Sequence, residues 1–163
     1  MADTLLVRGK SENIVNALAQ LQPVRDTLQT LLLHQKLTDE TQIFLQALRS
    51  GDTRHAWRMM SKSWDGMNCS DFSSMISERL PAFGRSTATF LGLVMDDGCE
   101  AVVDAFLYFE NERWASCDVT LALEESHWKI DRLALREIDW ELDPFSDLDP
   151  KLTSRTHSLD IEG

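Results

Sequence analysis

The run from Ser86 to Ile138 constrains the fold more than any other part of the chain, because it contains four consecutive segments that alternate apolar and polar side chains. Such alternation is typical of half-buried β-strands, whose successive side chains point to opposite faces. The residues before Ser86 instead show the spacings of three and four that are typical of helices. This order predicts an α+β fold with N-terminal helices packed on a four-stranded antiparallel meander sheet.

The first helical segment is predicted from Ser11 to about Gln35, where apolar residues recur at spacings of three, four and seven. Pro23 predicts either a kink or the first turn of a second helix, because proline lacks a backbone N–H. A further helix is expected to begin at the N-cap candidates Thr38–Glu40. It should end at Ser50–Gly51, since glycine adopts the left-handed cap conformation at low cost.

Two more helices are expected before the sheet. Asp52 or Thr53 is a suitable N-cap for a helix that carries apolar residues through Trp64. A shorter helix is expected from about Ser70 to Leu80, because apolar residues recur there at helical spacing and Pro81 follows.

The register of the second hairpin follows from its two faces. In the second strand, residues 99–110, and the third strand, residues 114–124, the odd-numbered residues are apolar. Residues that lie opposite each other in the two strands must share a face. The connection at Asn111–Arg113 must therefore hold an odd number of unpaired residues. Three such residues would place Leu107 opposite Cys117 and Val103 opposite Leu121.

The third hairpin is predicted to turn at Glu125–Ser126, which pairs Leu123 with Trp128. Beyond that pair the apolar residues of the fourth strand move from even-numbered to odd-numbered positions, as at Leu133 and Leu135. A bulge near Asp131–Arg132 accounts for the slip, and the alternative is that Arg132 points into a pocket.

The first hairpin, between the first and second strands, can turn with either an odd or an even number of unpaired residues. A three-residue turn at Asp96–Gly98, with the glycine in the left-handed conformation, would align Leu91, Leu93 and Met95 with the core. A turn of the other parity would place them on the opposite face.

The two faces of the sheet differ in character. The odd-numbered face is almost purely apolar and should pack on the helices, whereas the even-numbered face mixes apolar, aromatic and acidic side chains. If water covered it, the even face would be an unusually large exposed apolar patch, so we expect a second copy, the N-terminal helix or the C-terminal tail to cover it. The candidate interface residues on this face are Val102, Phe106, Tyr108 and Trp114.

Composition restricts the partners. The net charge is −11 and no stripe of Lys and Arg is present, so nucleic acid and anionic membrane are poor partners, and a protein partner with a basic or apolar groove fits better. No apolar run is long enough for a signal peptide or a membrane span, which favours a cytoplasmic protein. Three cysteines without CxxC spacing suit a reducing compartment, and a disulfide between Cys99 and Cys117 is not expected.

The tail from Asp139 to Gly163 contains seven acidic and two basic residues. Trp140 and Phe145 alternate with acids in a segment where two prolines oppose helix formation. This composition suits a linear motif that orders on contact with a partner, and the alternative is a tail packed on its own domain.

Several segments resemble the NTF2-like (cystatin-like, α+β cone) superfamily. The run Phe44–Asp52, followed by Ala56-Trp57 and Met60-Ser61, is similar to the helical hairpin that opens many of its domains, and His127–Leu133 is similar to its last strands. The resemblance covers residues 38–138. It leaves residues 1–37 as an N-terminal helical extension and 139–163 as an acidic tail that we expect to be flexible.

The resemblance implies a cavity between helices and sheet and a homodimer formed through sheet faces. His55 and Arg132 are the catalytic candidates that could reach such a cavity. The four histidines lack metal-ligand spacing, so neither a metal nor a cofactor is expected. The large side chains that could line a ligand pocket, or simply form core, are Trp57, Met60, Trp64, Leu107, Cys117 and Trp128.

These observations favour a non-enzymatic protein-interaction module, homodimeric through its sheet face, with the acidic aromatic tail as a partner motif. The alternative is a small-molecule-binding domain of the same fold, acting as a lyase or isomerase in the cone cavity.

Overall fold

A computed structural model describes the backbone of residues 2–138 and 159–160 and the side chains of residues 12–136. Helices precede an antiparallel sheet, which confirms the predicted α+β class. The chain divides into two compact units, residues 1–36 and 37–163. Among the described helices, none combines the length and the apolar character that crossing a membrane requires.

The first helix, α1, runs without interruption from Ala2 to Ser50 and contains Pro23. The prediction of a new helix at Thr38–Glu40 is therefore wrong. No glycine or proline occurs between Val24 and Ser50, so nothing breaks the backbone hydrogen-bond ladder after Pro23.

The end of α1 is confirmed at Ser50. Gly51 has φ +78°, and its N–H donates to the Leu48 carbonyl at 3.3 Å, while the Asp52 N–H donates to the Ala47 carbonyl at 2.9 Å. This pair of bonds is the Schellman arrangement that satisfies the last carbonyls of a helix. Asp52 then caps the next helix by accepting a hydrogen bond from the His55 N–H.

The second helix is shorter than predicted, because the chain after it pairs with the sheet. The Ile130 N–H donates to the Met59 carbonyl at 2.8 Å, and the Ser61 N–H donates to the Ile130 carbonyl at 2.7 Å. The predicted helix near Ser70–Leu80 is confirmed within one residue. The bounds are α2 Thr53–Arg58, a short 3₁₀ helix Lys62–Trp64, α3 Cys69–Arg79 and α4 Ala82–Arg85.

The sheet is an antiparallel meander whose strands are neighbours in chain order. A two-residue strand at its edge, which pairs with Ala134 and Leu135, adds to the four predicted strands. The bounds are β1 Ala88–Asp96, β2 Glu100–Tyr108, β3 Trp114–Glu124, β4 His127–Ile138 and β5 Leu159–Asp160.

In the second hairpin the predicted faces are confirmed and the predicted pairing is wrong by two residues. Ala105 lies opposite Cys117, and Leu107 lies opposite Ala115. The loop does hold three residues, 110–112, because the Phe109 N–H donates to the Arg113 carbonyl at 3.0 Å. A shift of two residues preserves both faces, so alternation alone could not detect it.

The third hairpin is as predicted. Glu125 and Ser126 have φ of +48° and +67°, as a two-residue type I′ turn requires, and Leu123 lies opposite Trp128. The expected bulge is present, because the register shifts between Thr120 and Leu121, which pair with Arg132 and Ile130. Asp131 is the extra residue.

The turn of the first hairpin lies further along the chain than the three-residue turn at Asp96–Gly98 that was considered. The Asp97 N–H donates to the Glu100 carbonyl at 3.1 Å, which leaves Gly98 and Cys99 as the turn. The backbone N–H groups of Glu100 and Cys99 donate to the Asp97 carboxylate and lower its pKa. A register shift between Leu91 and Val94 then exposes Leu93 and Met95 instead of burying them.

The core of unit 37–163 lies between the helices and the odd-numbered face of β2 and β3. Among the residues whose side chains are described, the inward residues of β2, β3 and β4 are uncharged, and most are buried. The largest fully buried side chains on the helical side are Leu37, Phe44, Leu45, Phe72, Leu80 and Phe83.

Candidate functional site

Four aromatic side chains gather on the outer face of the sheet, which is the face opposite the helices. Phe90 comes from β1, Phe106 and Tyr108 from β2, and Trp114 from β3. The Trp114 ring lies 4.9 Å from that of Tyr108 and 5.6 Å from that of Phe90, measured between centroids. We call Phe90, Phe106, Tyr108 and Trp114 the aromatic cluster.

The contact between Phe90 and Trp114 crosses a whole strand. β1 and β3 are separated by β2, so their backbones are about 10 Å apart. Both rings must therefore lean over β2 to approach each other. Phe90 remains 52% exposed, so the cluster presents aromatic surface to solvent.

Gly92 on β1 makes room for the cluster. A Cβ atom built at this position would lie 3.2 Å from the ring of Phe106 and 3.3 Å from the Cβ of Asp104. Any larger residue would crowd both neighbours. The glycine thus lets β1 approach the Phe106 ring closely.

The loop of the second hairpin completes a cleft beside the cluster. Glu112 occupies the left-handed position of the three-residue loop, with φ +61°, and its N–H donates to the Phe109 carbonyl at 3.1 Å. The cleft is open to solvent and has a volume of about 620 Å³. It is lined by Phe106, Tyr108, Glu112 and Trp114.

Two carboxylates lie next to the cluster on the same face. Asp104 of β2 and Asp118 of β3 are directly opposite each other, and both are half-buried. Arg136 Nη2 lies 3.3 Å from Asp118 Oδ2. Among the described residues, Asp104 has neither a hydrogen-bond nor an ion-pair partner. We call Asp104 and Asp118 the acidic pair.

Aromatic rings beside a carboxylate without a cation among the described residues, that of Asp104, suit a cationic group. The face of an aromatic ring attracts a guanidinium or an ammonium, and a nearby carboxylate adds a charge-assisted hydrogen bond. The outer face therefore offers both kinds of contact within two neighbouring strands.

The residues predicted to line a ligand pocket lie inside the domain. Five are buried, and Trp57 is half-buried. The Trp64 indole donates to the Asp131 carbonyl at 2.7 Å, and the Trp57 indole donates to the Met67 carbonyl at 3.3 Å. Burial, with a smaller effect of the Asp118 charge, raises the pKa of Cys117 to about 12, so its thiol stays protonated.

The two catalytic candidates are both exposed and lie on different elements. His55 is exposed on α2 beside a second, smaller depression of about 370 Å³ that Ile43 and Gln46 of α1 also line. Arg132 is exposed on β4, and its Nη2 lies 3.0 Å from Glu100 Oε1. Within the described residues, no group of His, Cys, Asp and Glu is arranged to hold a metal ion.

The predicted interface residues of the sheet do share a face. Val102, Phe106, Tyr108 and Trp114 are all half-buried on the outer side. Trp140 and Phe145 lie outside the described residues. Phe90, Gly92 and Glu112 were not among the predicted site residues, although the alternation of apolar and polar residues along the first strand was a signal for Phe90.

Comparison with known proteins adds little to this geometry. No family model and no curated protein matches the chain. A solved structure from Campylobacter jejuni, described as an NTF2-like transpeptidase, is similar to this chain with a TM-score of 0.48 and 17% sequence identity. The match covers 58% of this chain and 95% of that chain.

Proposed function

We propose that the chain is a non-enzymatic protein-interaction module whose outer sheet face binds a basic segment of a partner protein. The observation that carries this proposal is the position of the aromatic cluster beside the acidic pair, in which Asp104 lacks a cation among the described residues. An arginine or lysine side chain would supply the missing charge and stack on the rings.

The charge of the chain supports a basic occupant. Residues 37–163 contain 24 acidic and 12 basic residues, a net charge of −12. A second copy on this face would bring one acidic pair against another, whereas a basic segment would be attracted to it. The homodimer expected through the sheet face is therefore the less favoured alternative. Disruption of a dimer by Trp114→Ala would support it.

The interior supports a binding role over catalysis. Where side chains are described, the inward residues of the strands are uncharged, and His55 and Arg132 are exposed elsewhere. General acid–base chemistry needs titratable groups within reach of a substrate. The outer face is where charged and aromatic groups meet.

A peptide titration tests the proposal. The probe is a seven-residue peptide in which three arginines alternate with glycines, compared with its glutamate counterpart by isothermal titration calorimetry. We expect the arginine peptide alone to bind. Affinity should fall about tenfold or more in Trp114→Ala and in Asp104→Asn, and it should weaken as salt is added.

The control variant is Glu78→Gln, which removes one carboxylate from the exposed surface of α3. It should bind the arginine peptide as the wild type does. Equal loss in Glu78→Gln would mean that general charge attraction explains the binding. Failure of the arginine peptide to bind, or binding unchanged in both outer-face variants, would overturn the proposal.

A further inference from the structure

The N-terminal part of α1 exposes an apolar stripe. Ile14, Leu18, Leu21, Leu28 and Leu32 are each more than half exposed, from 54% for Leu28 to 70% for Leu32. Monomeric proteins rarely leave so regular a row of large apolar side chains in water. We call these five residues together with Arg25 the seam.

The spacing of the seam is that of a coiled coil. Its positions follow each other at alternating intervals of four and three residues, which is a seven-residue repeat with two seam positions in each repeat. The segment from Ile14 to Leu32 would be about 27 Å long at a rise of 1.5 Å per residue. This period keeps one side of a helix against another helix, which makes a helix the fitting occupant.

The pattern of the seam is symmetric about Pro23. If two copies run in opposite directions with Pro23 near the centre, Ile14 faces Leu32 and Leu18 faces Leu28 of the other copy. A surface that matches its own reversed image suits an interface with two-fold symmetry. Pro23 itself falls on the side of the helix opposite the seam, where its ring does not obstruct contact.

The charges select the antiparallel direction. Arg25 would face Leu21 in an antiparallel pair, whereas in a parallel pair each Arg25 would meet its own copy. From Ile14 to Leu32 the charged residues are Arg25 and Asp26, so the two segments carry no net charge to repel each other.

We propose that residues 14–32 form an antiparallel two-helix coiled coil with the same segment of a second copy. This interface is separate from the outer sheet face. The chain would thus form a dimer through its N-terminal helix and leave the aromatic cluster of each copy free for a partner.

Light scattering coupled to gel filtration tests the dimer with the full chain. The wild type should have twice the monomer mass of 18.6 kDa. Leu18→Glu, in the seam, should halve that mass, because it places a carboxylate against Leu28 of the other copy. Thr30→Glu is the matched control on the opposite side of the helix and should remain dimeric, and circular dichroism should show equal helix content in both variants.

Cross-linking tests the direction. Ile14→Cys and Leu32→Cys are prepared separately in a background where Cys69 and Cys99 are replaced by serine, and then oxidised alone and as a mixture. In an antiparallel pair the cysteine at 14 meets the cysteine at 32 of the other copy, so a cross-link should form only in the mixture. Cross-links within each single preparation would overturn the antiparallel assignment. A monomeric wild type, or a dimer that Trp114→Ala disrupts and Leu18→Glu does not, would overturn the interface itself.

Discussion

Asp104 and Asp118 lie directly opposite each other on the outer face of the sheet, and Arg136 contacts Asp118. Like charges in such cross-strand positions destabilise a sheet by up to about 1 kcal/mol. Arg136 offsets this repulsion from one side. Asp104 has no such partner among the described residues.

Replacing Asp104 by asparagine should separate stability from binding. Asp104→Asn removes the repulsion, so we expect the free energy of unfolding to rise by about 0.5 kcal/mol, while affinity for the arginine peptide falls. Urea denaturation measures the first effect, and calorimetry measures the second. The comparison variant, Asp118→Asn, should gain less stability, because it also loses the contact with Arg136. A destabilised Asp104→Asn would contradict this account of the acidic pair.

Replacing Gly92 by alanine should disturb the aromatic cluster. The new Cβ would lie 3.3 Å from the Asp104 Cβ, which is fixed to the neighbouring strand, and 3.2 Å from the Phe106 ring. We expect a loss of about 1 kcal/mol in unfolding free energy and a changed near-ultraviolet circular dichroism spectrum. Gly84→Ala is the control, since its Cβ would meet nothing within 4 Å and helix α4 should become more stable. An unchanged spectrum for Gly92→Ala would show that the rings do not depend on this close approach.

Replacing Glu112 by glycine should stabilise the second hairpin. Glu112 has φ +61°, a conformation that costs a non-glycine residue about 1 kcal/mol or more. Relief of that cost should raise the melting temperature by about 3 °C. Glu110→Gly, two residues earlier in the same loop, should lower it, because Glu110 is not among the residues with positive φ. Equal effects of the two changes would rule out backbone conformation as the cause.

The faces of the sheet could be predicted from the sequence, because the side-chain direction in a strand depends on parity alone. The alternation of apolar residues between odd and even positions also predicted the turn at Glu125–Ser126 and the bulge at Asp131. It could not distinguish Leu107 opposite Cys117 from Leu107 opposite Ala115, since both pairings keep the same faces. The left-handed conformation of Glu112 decides between them, and glutamate gives no signal for it.

The site was less predictable than the sheet. The contact between Phe90 and Trp114 joins strands that are not neighbours, so no pairing rule leads to it. It depends on how far two side chains lean, and on the close approach that Gly92 permits. The continuity of α1 was missed for a different reason. Local N-cap signals at Thr38–Glu40 were given more weight than the absence of a helix breaker.

The buried thiol of Cys117 should make stability fall in alkaline solution. Its pKa rises from an ordinary value of 9.0 to about 12 in the folded protein, mainly because burial disfavours the thiolate. The folded state then holds the proton more tightly than the unfolded state. The resulting stabilisation is complete below pH 9 and is lost as the pH rises toward 12.

Cys117→Ala should flatten this alkaline loss. Between pH 9 and 11 its free energy of unfolding should decline less steeply than that of the wild type, although the small cavity lowers its stability by about 1 kcal/mol at neutral pH. Cys99→Ala is the matched control, because Cys99 is exposed and its removal should leave the slope unchanged. Urea denaturation at each pH measures the slopes. Other groups titrate in the same range, so the difference in slope between the two alanine variants isolates the contribution of Cys117. Parallel curves of unfolding free energy against pH would mean that the Cys117 thiol ionises as readily in the folded chain as in the unfolded one.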